Sequence, residues 1–93
     1  MDKIANAVKR EMNCIDVGNM YDLKNALINI NDSVWVESDL SDDAMAFMDA
    51  TSEIIAKISE DGLSMWKSIE IAQYLNSTEI WNQDSIKGLK NVV

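Results

Sequence analysis

The chain has no histidine, no proline, a single cysteine and only three glycines among its 93 residues. Without histidine or a cysteine pair there is no zinc-type site, and no His-activated nucleophile can be assembled. Asp39-Leu40-Ser41-Asp42-Asp43 lacks the mid-loop glycine and closing glutamate of a calcium loop. Glycines this sparse build no phosphate cradle. The expectation is therefore a non-enzyme, with no catalytic residue, no metal and no cofactor. No apolar run is long enough to span a bilayer, and Met1-Asp2-Lys3-Ile4 lacks a signal-peptide pattern. Cys14 has no partner for an internal disulfide, which suits a reducing, cytoplasmic location; it reads as a small buried hydrophobe.

What is present is an acidic excess with an uneven address. The net charge is −8. Residues 1–31 balance four acids against four bases, and residues 62–93 balance three against three. Between them lie nine acids (Asp32, Glu37, Asp39, Asp42, Asp43, Asp49, Glu53, Glu60 and Asp61) against one base, Lys57. The middle third thus holds the whole net charge. A solvated charged face often serves solubility alone, but segregation of this kind suits a one-sided field turned towards a basic partner.

Hydrophobic residues make up 47% of the chain, enough for a small core. Their spacing is helical throughout. Ile4, Ala7, Val8 and Met12 mark a first helix, and Leu23, Ala26, Leu27 and Ile30 a second, with Asn19 as its cap and Asp22 as a capping-box acid. Asn31-Asp32-Ser33 reads as a break, followed by Val34-Trp35-Val36 as a short extended link around residues 33–37. Ser41 caps a third helix, Asp42 and Asp43 occupy its first turn, Leu40 can staple onto Met45, and Gly62 is a stop. Its inward stripe is Ala44, Phe47, Met48, Thr51, Ile54, Ile55 and Ile58. Asp42, Asp49, Glu53 and Glu60 fall on one face away from that stripe, roughly 6 to 10 Å apart at about 1.5 Å of rise per residue. A fourth helix spans about 64–76 with Met65, Trp66, Ile69, Ala72 and Leu75 inward, and Ile80, Trp81, Ile86 and Leu89 continue the pattern. The expected fold is mostly α, a compact bundle of four to five helices in a single acidic domain over residues 1–93.

Residues 68–76 look like the first helix of a helix-turn-helix. However, a DNA reader needs apolar residues where this chain has Ser77 and Asn82, and its second helix offers only Lys87 and Lys90. With no basic surface to neutralise phosphates, direct nucleic-acid binding is not expected.

Val8-Lys9, Met12, Asp16-Val17, and Asp22-Leu23 followed by Ala26-Leu27 form an ungapped pattern that resembles the N-terminal segment of the Ocr-like phage antirestriction proteins, a DNA-mimic family. Residues 31–40 resemble the segment that joins helices in that family, where an Asp/Asn–small–Val element precedes an aromatic patch and an Asp–apolar pair, here Asp39-Leu40, with a one-residue gap. Ile69 to Trp81 is loosely similar to a later helix. The resemblance covers about half of the chain, largely through helix-core patterns. It implies a mostly helical homodimer whose acidic surface imitates bent duplex DNA and occupies the DNA groove of type I restriction enzymes. Asp16, Asp22 and Asp39 match motif positions. The chain departs from the family in being less acidic and in ending on a mildly basic segment with Lys87 and Lys90 rather than on a long acidic tail.

The reading that combines these observations is a host-defence inhibitor. Its nine middle-third carboxylates would meet Lys and Arg in the channel of a basic nucleic-acid-binding enzyme, such as a type I restriction enzyme. A CRISPR effector suits the same physics. The competing reading is an adaptor that binds through exposed aromatics. Trp66 and Trp81 read as core, whereas Trp35, flanked by valines, is the candidate exposed or dimer-interface aromatic.

Overall fold

Ile4, Ala7, Val8 and Met12 are buried along one side of α1 (Lys3–Met12), as their spacing predicts, and Ala5 is buried with them. A computed structural model of the chain describes residues 3–37 and 41–93, and the described residues form five helices. The other four are α2 (Met20–Glu37), α3 (Asp42–Glu60), α4 (Met65–Ser77) and α5 (Gln83–Val92).

Polar caps set most of these boundaries. The side chains of Ser41, Ser64 and Asn82 accept from the backbone N–H groups of Ala44, Lys67 and Ser85 at 3.2, 3.1 and 3.0 Å. They satisfy donors that a helix start otherwise leaves open. Asn19 caps α2 by accepting from Tyr21 and Asp22 N–H. Asp22 does not close a capping box onto it; its carboxylate accepts instead from Asp16 N–H at 3.1 Å and so holds the turn between α1 and α2. Gly62, at φ +73°, ends α3, with its N–H donating to the Lys57 and Ile58 carbonyls.

The expected break at Asn31-Asp32-Ser33 and the extended link at 33–37 are not found: α2 runs through both to Glu37. The apolar period continues from Ile30 to a buried Val34, and Asn31 and Ser33 find tertiary partners instead of competing for their own backbone. Arg10 donates to the Ser33 hydroxyl at 2.7 Å. Asn31 reaches across to α3, where its amide donates to Met48 O, Thr51 Oγ1 and Ser52 Oγ at 3.3, 3.1 and 3.1 Å.

α2 packs against α1 on one side and antiparallel to α3 on the other, Met20 meeting Gly62 and Leu63 at one end. α5 lies parallel to α3, tied by Gln83 to Asp43 at 2.8 Å and by Lys90 to Asp49 at 3.4 Å. It runs back along α4, where Tyr74 donates to Ser85 O and Lys67 to Val92 O. Phe47, Tyr74 and Trp81 meet edge to face in the space these three helices enclose.

Four side chains depart from expectation. Trp81 fills the core, but Trp66 is 74% exposed, and Met65 and Ile80 are also exposed. The buried register of α4 is Ser68, Ile71, Ala72 and Leu75, and Trp66, two residues before Ser68, points about 160° away from it. Cys14 is exposed rather than buried, because Ile15 makes the apolar contact of that turn. The proposed Leu40 staple lies outside the described residues.

Gly88 sits inside α5 where a Cβ would collide with the Tyr74 hydroxyl. In an isolated helix alanine is better than glycine by about 1 kcal/mol. Here Gly88→Ala should instead lower stability by roughly 1–3 kcal/mol, because Tyr74 must shift from its half-buried place against the core and give up its bond to Ser85 O. Urea denaturation of the variant beside the parent measures it.

Candidate partner-binding surface

α3 is the element that carries the acids. Its core side buries Ala44, Phe47, Ala50, Thr51, Ile54 and Ile58. That commitment turns Asp42, Asp49, Glu53 and Glu60 outward, and all four are exposed. They lie along one face of one helix, with about 27 Å between the first and last at helical rise. Their steps of seven, four and seven residues correspond to roughly two to three nucleotides each along a DNA strand.

The remaining expected acids are scattered around this row. Asp32 is exposed on α2 and Asp61 is exposed at the end of α3. Asp43 is half-buried and accepts from Gln83. Glu37 is the last residue of α2, but its side chain and the whole of Asp39 lie outside the described residues. Asp16 and Asp22 do not join the row; they hold the turn at the start of α2, at the other end of that helix from Trp35.

Two cations temper the field. Lys57 stands on the exposed side of α3, four residues after Glu53 and three before Glu60. Lys90 reaches Asp49 from α5, so the mildly basic C-terminal segment lies against part of the acidic face. Both side chains of that pair are well exposed, which keeps its contribution within the 0–1 kcal/mol of surface ion pairs.

Trp35 is 62% exposed at the end of α2, as expected of it. It does not stand alone. With Asn31 of α2 and Met45, Met48, Asp49 and Ser52 of α3 it lines an open groove of about 480 Å³. Met45 is 57% exposed. Neither this groove nor the bridging role of Asn31 was legible beforehand; the only signal was Met45 and Asp49 one helical turn apart beside a lone tryptophan.

No helix among the described residues is long and apolar enough to cross a membrane, and none of their His, Cys, Asp and Glu side chains form a group that could hold a metal ion. No family model, no curated protein and no solved structure matches the chain.

The groove depends on the register between α2 and α3, to which Asn31 contributes a polar tie. Asn31→Ala should cost about 1–3 kcal/mol, since it removes a half-buried amide shared by three acceptors. Thermal unfolding by circular dichroism, compared with an exposed control such as Asn6→Ala, separates this from the intrinsic effect of alanine.

Proposed function

We propose that the chain is an inhibitor that competes with nucleic acid for a basic protein channel, in the manner of a DNA-mimic antirestriction protein. The observation that carries this reading is the row Asp42, Asp49, Glu53 and Glu60, exposed along a single capped helix in the third of the chain that holds all of the net charge. Carboxylate oxygens accept the same charge-assisted hydrogen bonds from Lys and Arg as phosphate oxygens do. Fixed on a helix whose other side is buried, they need little ordering on binding, and their common sign steers a cationic partner into contact.

The resemblance to Ocr-like proteins points in the same direction and supplies the first target to test, a type I restriction enzyme. A CRISPR effector is the second. The same reading makes the chain a homodimer of the host cytoplasm that does not itself bind DNA; the turning of Lys90 of α5 to Asp49 supports the last of these alone.

The test is displacement of labelled duplex DNA from a purified type I restriction enzyme, and in parallel from a CRISPR effector complex. The parent chain should displace DNA from one of them. The variant Asp42→Asn, Asp49→Asn, Glu53→Gln and Glu60→Gln should need at least about a hundredfold more protein, since four pairs worth even 0.7 kcal/mol each sum to about 2.8 kcal/mol. Its helical circular dichroism should match the parent's, because all four side chains lie outside the core. A variant that folds and displaces DNA as well as the parent contradicts the reading.

A further inference from the structure

Apart from Val36 and Ile80, the large apolar side chains exposed among the described residues stand at two places on the bundle. Val17, Tyr21, Met65 and Trp66 gather where the α1–α2 turn meets the start of α4. The other place is the groove between α2 and α3, and it differs in having both a shape and a sign. Its floor and walls come from Trp35, Met45 and Met48, and the one charged residue in its lining among the described residues is Asp49. Every described lining residue lies between positions 31 and 52, inside or next to the segment that holds the acidic excess; Asp32 and Glu53, both exposed, follow the lining residues Asn31 and Ser52 directly in sequence.

We propose that this groove docks a short basic amphipathic segment of a partner protein. One apolar side chain would seat against Trp35, and a neighbouring Lys or Arg would pair with Asp49. Three features of the site argue for this occupant. Tryptophan is the side chain most enriched where interfaces concentrate their binding energy. Two unbranched, polarisable methionines let the walls adapt to an apolar anchor of varied shape. The acidic surroundings then select the sign: an acidic segment would meet Asp49, Asp32 and Glu53, and a second copy of this face would set its own carboxylates against them. Lys90 already occupies Asp49 in the free chain, through a 3.4 Å contact between exposed side chains. Such a pair is weak and open to exchange, and a guanidinium that binds a carboxylate through two hydrogen bonds displaces a single ammonium. Lys90 is thus a placeholder for the partner's cation. This inference stands apart from competition with nucleic acid, because it requires a basic amphipathic segment and no nucleic-acid channel.

The probe is a short fluorescent peptide in which Leu and Phe are spaced at helical intervals among Lys and Arg, followed by anisotropy against the full chain. Trp35→Ala should weaken its binding roughly tenfold or more, and Met45→Ser should weaken it as well. Both side chains are largely exposed, so folding should survive either change. Asp49→Asn should weaken binding by roughly two- to fivefold, and Lys90→Gln should tighten it by a similar factor. A peptide of Lys and Gly with the same charge should bind much more weakly. Several results would overturn the proposal: no binding of the amphipathic peptide to the parent chain; binding unchanged in both Trp35→Ala and Met45→Ser; or equal binding of the Lys/Gly peptide. The last two would leave a surface that works by charge alone, as the carboxylate row requires. Sedimentation showing a dimer that Trp35→Ala dissolves would give the groove to a second copy and overturn the proposal too.

Discussion

The amide of Asn31 ties α2 to α3, and the groove between the two helices follows from that contact. Asn31 has two N–H donors shared among three acceptors on the facing helix. Thr51, buried beneath it, accepts from Asn31 and donates in turn to Met48 O. A polar cluster of this kind favours one register over its neighbours, since sliding the helices would leave half-buried polar groups unpaired. In that register Trp35 stands opposite Met45 and Met48, and the acidic face of α3 points to solvent with its spacing set by helical geometry rather than by loops.

Much of this architecture was legible in the sequence. The stripes of α1, α2 and α3 were visible because they are long and regular, and the caps Asn19, Ser41 and Gly62 because their chemistry is local. The end of α2 was misread for an equally physical reason. Asn31, Asp32 and Ser33 are residues that break helices when their side chains turn back on their own backbone, and nothing local shows that Asn31 and Ser33 have partners on α3 and α1. The exposure of Trp66 likewise depends on the register of α4, which the buried Ser68 reveals and a list of apolar positions does not.

The candidate site divides in the same way. The acidic row could be read from the sequence because it lies on one helix and its spacing is one-dimensional. The groove could not, because it needs two helices in register, and neither could the approach of Lys90 to Asp49, which joins residues 41 apart in sequence. That approach changes the electrostatic picture: the charge balance of the C-terminal third does not insulate it from the middle third, since α5 lies alongside α3 and places one of its cations on the acidic face.

A fixed row of carboxylates and an apolar groove can serve one interface, the first by setting orientation and encounter rate and the second by limiting dissociation. The central claim is that the row itself binds a cationic channel, and its signature is salt dependence. Affinity of the chain for the nucleic-acid-binding enzyme from which it displaces DNA, measured from low to physiological salt and above, should fall steadily as salt screens the contact. The fall should be markedly shallower when Asp42, Asp49, Glu53 and Glu60 are neutralised. An affinity that does not change with salt, or a slope equally steep in the neutralised variant, would contradict the account.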